Sequence, residues 1–163
     1  ERRLAVTARI RDRVIARLEA ADIAYRIIRH APVVGSLRIA EQRGMPPAAG
    51  AKTLLVRAAG EYRLLVIPGD RKLSSPKLRR ALGTHDIRFA RPRELQDVTG
   101  CRPGEVPPLG QLFDLPVVMD PRVAENREVG FTAGSTEESF VVEAEALIRL
   151  IAPRQADLVR GNA

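Results

Sequence analysis

The chain has no tryptophan, two tyrosines and four phenylalanines, so aromatic side chains make up 4% of its 163 residues. That argues against a protein that holds single-stranded nucleic acid by stacking each base on an aromatic platform. Cys101 is the one cysteine, which excludes a disulfide framework within the chain and leaves no cysteine-based zinc site to assemble. With two histidines, His30 and His85, neither a metal nor another cofactor is expected, and a reducing cytoplasmic setting fits the sparing use of cysteine. No apolar run approaches the ~18–20 residues of a membrane span, and the arginine-rich start from Glu1 to Arg17 lacks the apolar stretch of a secretory signal. A soluble protein with no membrane partner is expected. Also missing are a Gly-x-x-x-x-Gly-Lys phosphate loop, a dinucleotide fingerprint, a Gly-x-Ser-x-Gly elbow and a His-Glu-x-x-His helix, each the mark of a familiar nucleotide, hydrolase or protease chemistry.

What is present is aliphatic and basic. Hydrophobic residues at 45% and charged residues at 29% supply the core of one compact domain and are too apolar for a disordered chain. Lysine and arginine number 27 against 20 acids, a formal charge of +7, which favours a polyanionic partner. The surplus is lopsided, because residues 1–82 carry 18 basic and 7 acidic side chains whereas residues 83–163 carry 9 and 13. One basic face turned toward a phosphate backbone accounts for that polarity. Of the bases 24 are arginine, and Lys52, Lys72 and Lys77 are the lysines.

Hydrophobic period orders the chain into interleaved helices and strands. Val6, Ile10, Val14, Ile15 and Leu18 recur at helical spacing among arginines, which predicts an amphipathic helix over 6–21. A β-prone run follows over 24–29, then a small helix from Ser36 to Arg43 that stops at Gly44. Residues 51–57 and 61–68, separated by Ala58-Ala59-Gly60, predict a hairpin. Ser74-Ser75-Pro76 opens a helix that closes at Gly83. Beyond it a strand over 87–90, a helix over 92–98, strands over 116–119, 128–133 and 138–142, a helix over 143–151 and a frayed tail are expected. The hairpin signals favour a mixed or antiparallel sheet over a doubly wound parallel one.

Three features are candidates for chemistry. Period-2 alternation puts Lys52 on the strand face of Leu54 and Val56, the expected core face, where an ammonium either snorkels to solvent or meets an anion. The stretch from Gly69 to Arg80 is the densest positive cluster, and reads equally as a phosphate-contacting surface or a solvated helix face. The loop from Thr99 to Gly110 holds three glycines and three prolines; its backbone amides can hold a carbonyl oxygen or an oxyanion, or it is an ordinary surface loop. Cys101 is a possible nucleophile but, as a lone cysteine, reads more readily as a small hydrophobe.

In order along the chain, His30, Gly50-Ala51-Lys52-Thr53-Leu54, Ile67-Pro68-Gly69-Asp70-Arg71-Lys72-Leu73, Thr99-Gly100 leading to Gly104-x-x-x-Pro108-x-Gly110, and Gly130-Phe131-Thr132-Ala133-Gly134-Ser135 resemble the YbaK and prolyl-tRNA editing-domain family. The resemblance implies an α+β single domain with a curved, mixed, largely antiparallel sheet flanked by helices, spanning residues 5–152 with 1–4 and 153–163 as terminal extensions. It implies hydrolysis, in trans, of the ester bond of tRNA mischarged with a small amino acid such as Ala, Cys, Ser or Thr. By that similarity Lys52 grips the phosphate or ribose of the terminal adenosine, the Gly104–Pro108 loop holds the aminoacyl carbonyl, and His30, Thr53, Gly134 and Ser135 line the pocket. Pro107, within that loop, removes one amide donor. Lys72, Lys77, Arg79 and Arg80 are the expected contacts to the tRNA backbone, with the tRNA acceptor end, and an aminoacyl-tRNA synthetase, as partners. The competing readings are a non-catalytic tRNA-binding or synthetase-associated module and a small-molecule hydrolase unrelated to RNA.

Overall fold

The structure, a computed structural model, describes residues 9–33 and 35–161. Helix α1 (Ile10–Ala20) turns Val14 and Leu18 into the core; Val6, expected on the same stripe, lies outside the described residues. Strand β1 (Tyr25–Arg29) is followed by α2 (Ser36–Arg43), in which Ser36 is the first helical residue and Gly35 takes the capping position. After a single 3-10 turn at Pro47–Ala49 come β2 (Ala51–Ala58) and β3 (Glu61–Pro68), paired over their whole length from Ala51 opposite Pro68 to Ala58 opposite Glu61. Ala59 and Gly60 both take positive φ, 49° and 84°, the two-residue turn whose twist matches that of paired strands. Helix α3 (Ser75–Leu82) is capped by the Ser74 hydroxyl, which accepts from the Lys77 amide. Then follow β4 (Ile87–Phe89), α4 (Pro92–Thr99), β5 (Val117–Met119), β6 (Glu128–Phe131), β7 (Glu138–Glu143), α5 (Ala144–Ile151) and β8 (Arg154–Gln155).

The strands form two sheets rather than one. An antiparallel sheet runs β1-β7-β6, and a five-stranded mixed sheet runs β4-β2-β3-β5-β8, in which the β3–β5 and β5–β8 pairings are parallel. An isolated parallel bridge between Gly50 and Gly130 joins them. Alternation along β3 then divides the interior. Leu64 and Val66 face the main core with Leu55, Met119, Phe131 and Phe140, while Leu65 and Ile67 face a smaller core with Val56, Leu78 and Val118. The expected core face of β2 is therefore the face of the smaller core, and the main core lies on the side of Ala51 and Leu55. Lys52 is exposed at the open end of the smaller core's face.

The tail is not frayed. Strand β8 extends the five-stranded sheet, Leu158 and Val159 are fully buried in the smaller core, and the Leu158 amide donates to the buried carboxylate of Asp120 at 2.8 Å. A two-residue strand carries almost no hydrophobic period, which is why the sequence pattern missed it. Among the described residues no helix is long and apolar enough to cross a membrane.

Candidate functional site

The turn at Pro47–Ala49 and Gly50 lead straight into β2 and set Lys52 and Thr53 at its first turns of register, opposite Ile67 and Val66. The Gly69 amide donates to the Gly50 carbonyl at 2.9 Å, and a Cβ at Gly69 would stand 2.8 Å from the Pro47 carbonyl oxygen. That close approach requires glycine. Helix α2, the two strand ends and the loop after α4 enclose a cavity of about 360 Å3 with Ile39, Met45, Leu54 and Val106 in its walls. Arg43 and Lys52 also line it, and none of its lining residues is acidic.

The loop is tied down by its carbonyls. Thr132, at the end of β6, donates its hydroxyl to the Gly104 carbonyl at 2.5 Å, and the Gly134 amide donates to the Glu105 carbonyl at 2.7 Å. The Glu105 amide closes a turn onto Arg102, and the Arg102 amide is taken by the Glu105 carboxylate. The amides of Gly104 and Val106 have no acceptor among the described residues, and both residues line the cavity. Gly104 holds φ at +83°, a conformation that favours glycine. Pro107 and Pro108 are buried and do not line the cavity, so the donor that Pro107 lacks is not one the cavity needs.

The structure thus brings Lys52, Thr53 and Gly104 to one cavity. His30, Gly134 and Ser135 border a separate, wider depression beside α1. His30 reaches the cavity wall through an intermediary. Its Nδ1 lies 2.9 Å from the Ala31 carbonyl and its Nε2 lies 2.8 Å from the hydroxyl of fully buried Ser139, which also accepts from Arg43 Nε at 2.8 Å. A carbonyl only accepts, so Nδ1 carries the proton, and in the neutral ring Ser139 donates to Nε2. Arg43 was not singled out from the sequence, where an arginine in the last turn of a short helix reads as a complement to the helix dipole.

On the other side of Lys52 lies a groove of about 420 Å3 lined by Lys52 itself, Lys72, Arg79, Arg88 and Arg160, with no acidic lining residue. Leu54, Val56 and Ile67 form its floor, and Phe89, 58% exposed, stands at its edge. Of the expected tRNA contacts, Lys72 and Arg79 line this groove. Arg80 is exposed in an adjoining depression, and the Lys77 ammonium is bound within the chain, to Asp157 at 2.9 Å and to the Val159 carbonyl at 2.8 Å.

Cys101 supplies no nucleophile to the cavity. Cys101 is fully buried in the main core, and burial pushes its thiol up to about 11. Among the described residues no group of three or more His, Cys, Asp or Glu is placed to hold a metal ion.

The chain is similar to known proteins over most of its length. The family model of the aminoacyl-tRNA editing domain matches residues 30–150. The chain is 27% identical over 153 residues to the multifunctional Ser/Thr-tRNA deacylase ProXp-y of Escherichia coli strain K12, covering 91% of this chain and 92% of that protein. It is 31% identical over 123 residues to the proline–tRNA ligase of Trichlorobacter lovleyi, 69% of this chain but 21% of the ligase. Among solved structures, a candidate trans-editing enzyme for prolyl-tRNA synthetase superposes with a TM-score of 0.82 at 26% identity, covering 92% of this chain and 96% of that one.

Proposed function

The chain belongs to the aminoacyl-tRNA editing-domain family, and from that premise we propose that it is a deacylase that acts in trans on mischarged tRNA, with Lys52, Gly104 and Val106 as its working groups. The observation that carries this reading is the position of Lys52 in the lining of two cavities, one largely apolar, the other cationic. An aminoacyl group enters the first and the nucleotide end of the acceptor strand lies along the second, so that the ester linking them crosses at Lys52. A relative of similar length, matched over 92% of its own chain, is a Ser/Thr-tRNA deacylase, which supports action in trans. The matched proline–tRNA ligase carries the same kind of domain within a longer chain, and a synthetase is the natural supplier of the mischarged substrate. A cytoplasmic location goes with that substrate.

The chemistry needs little from side chains. Water adds to the ester carbonyl carbon, negative charge gathers on the carbonyl oxygen, and the C–O bond to the ribose breaks as a proton passes to the departing ribose oxygen. The free amino acid and the tRNA hydroxyl are the products. The Gly104 and Val106 amides are fixed donors for the oxyanion, and fixed donors stabilise a transition state without reorganising during the reaction. The Lys52 ammonium holds the phosphate or ribose and so fixes the ester over those amides. The attacking oxygen is that of a bound water, oriented by the substrate's own neighbouring hydroxyl, so the step does not call on a carboxylate, and none lines the cavity.

Release of amino acid from tRNA carrying Ala, Cys, Ser or Thr tests the reading. Turnover of at least one of these is expected, with loss of most activity in Lys52→Ala. Folded protein that binds tRNA but turns over none is instead a binding module.

A further inference from the structure

Arg43 brings a charge into the acyl cavity that the chain does not answer. Its Nε donates to Ser139, no carboxylate pairs with it among the described residues, and burial lowers its pKa only to about 10. It is therefore a cation at neutral pH. Nη1 and Nη2 have no hydrogen-bond partner among the described residues, yet neither is sealed from the surface. Arg43 lines the cavity, and these nitrogens are the donors it offers there.

The guanidinium is held from behind and at its Nε. A Cβ at Gly130 would lie 2.9 Å from Arg43 Cδ and 3.2 Å from Nη1, and one at Gly50 would lie 3.4 Å from Nη1. The two glycines that join the sheets thus form the bed on which the guanidinium rests. Ser139, fully buried and bonded in turn to His30, anchors Nε. The other cation of the cavity, Lys52, holds the phosphate or ribose in the deacylase reading, which leaves Arg43 as the charge that the acyl group meets.

That charge bears on the α-nitrogen of the acyl group, which enters the same cavity when the ester lies over the Gly104 and Val106 amides. With an ordinary pKa of about 7.7–8.0, a free α-amino group is in good part an ammonium at neutral pH. Such an ammonium meets a like charge, mostly apolar walls and no acidic lining residue, so repulsion and desolvation both oppose it. An N-acylated nitrogen carries no charge, and its acyl carbonyl oxygen accepts from the Arg43 fork. Space allows it, since about 360 Å3 falls in the ~300–1,000 Å3 range of sites that enclose drug-sized ligands and exceeds what a seryl or threonyl group fills. Resting on the deacylase reading above, we infer that the site also hydrolyses N-acylated aminoacyl-tRNA, in preference to the free-amine ester, with Arg43 as the specificity-determining residue that reads the N-acyl oxygen. Water adds to the ester carbonyl carbon, the C–O bond to the ribose breaks, the ribose oxygen takes the proton, and an N-acylamino acid leaves in place of an amino acid.

The test compares N-acetylseryl-tRNA with seryl-tRNA, and N-acetylthreonyl-tRNA with threonyl-tRNA, at neutral pH on a single protein preparation. Each kcat/KM is divided by the hydrolysis rate of the same ester without enzyme, because a free α-ammonium itself activates the ester. The wild type is expected to favour the acetylated member of each pair by about tenfold or more. Arg43→Gln removes both charge and fork and is expected to draw the ratios toward one, whereas Arg43→Lys keeps the charge without the fork and is expected to fall between. A loss of fold slows both members of a pair alike and leaves the ratio unmoved, so the ratio separates selectivity from support. Release of serine or threonine without preference for the acetylated esters, or wild-type ratios retained in Arg43→Gln, overturns this inference and leaves the deacylase reading standing. A wild-type protein that hydrolyses none of the four esters overturns the deacylase reading and this inference with it.

Discussion

The hydroxyl of Thr132 donates to the carbonyl oxygen of Gly104 at 2.5 Å, tying the glycine of the loop to the end of β6. The bond matters because it holds the carbonyl of a residue whose own amide has no acceptor among the described residues. Thr132→Val is close to isosteric and removes that tether. Displacement of an oxyanion donor by a fraction of an ångström to an ångström is expected to lower kcat by on the order of tenfold to a hundredfold while KM changes little. Single-turnover deacylation measures it, and an unchanged kcat shows that the Gly134 amide bond to Glu105 suffices to hold the loop.

The cationic groove sets a second expectation. Arg79→Glu places a negative charge among Lys72, Arg88 and Arg160 and is expected to raise KM for charged tRNA, with the effect shrinking as salt is added. Phe89→Ala removes the exposed ring at the groove edge. If it stacks on a base, the loss is about 1–3 kcal/mol in binding, read as a rise in KM that persists at high salt. Lys77→Ala is expected to behave differently from both. Its ammonium is bound to Asp157 and the Val159 carbonyl, so its loss lowers stability rather than tRNA affinity.

Much of this fold was legible because hydrophobic period and turn residues agree. The hairpin around Ala59-Gly60, the helix opened by Ser74 and Pro76, and the stops at Gly44 and Gly83 all follow from local chemistry. Lys52 and Gly104 were legible through their setting in motifs. The division into two sheets was not, because the Gly50–Gly130 bridge that joins them is a pairing of residues with no side chains to carry a pattern. Arg43 was hidden for a related reason: its hydrogen-bond partner is Ser139, 96 residues away in the chain. The placing of His30 behind Ser139 also rests on a contact between distant residues, 109 apart in the chain.

One ion-pair cluster ties stability to pH. The Glu94 carboxylate accepts from Arg88 at 2.7 and 3.0 Å, from the Tyr62 hydroxyl and from the Arg91 amide at 3.2 Å. Led by the Arg88 bonds, these contacts hold its carboxyl well below the usual carboxylate range. A group whose folded pKa lies below its unfolded value stabilises the fold above the unfolded value and loses that contribution as pH falls toward the folded one. Glu94→Gln is therefore expected to be less stable than wild type at neutral pH, with the gap narrowing as pH drops through and below the ordinary carboxylate range. Urea unfolding at a series of pH values measures it. A gap that stays constant with pH shows that the carboxylate's charge contributes nothing and that the loss is one of packing.

The last prediction concerns residues 153–161, which we propose are part of the domain's stability rather than an appendage. Leu158 and Val159 are fully buried against Val56, Leu65, Ile67 and Leu78. The chain there also supplies polar partners that nothing else replaces. The Leu158 amide donates to Asp120, which is itself fully buried, the Ser74 amide donates to the Leu158 carbonyl, and Asp157 bridges Lys77 and Arg122. Leu158→Ala leaves a cavity in a core of few residues and is expected to cost about 2–5 kcal/mol, a large share of the ~5–15 kcal/mol that holds a domain of this kind together. Deleting residues 154–163 goes further, since it exposes the floor of the cationic groove and strips the buried Asp120 carboxylate of its Leu158 partner. That truncation is expected to lose cooperative unfolding by calorimetry or urea titration. Retention of a sharp transition near the wild-type midpoint shows instead that α3 can cover the smaller core without the tail.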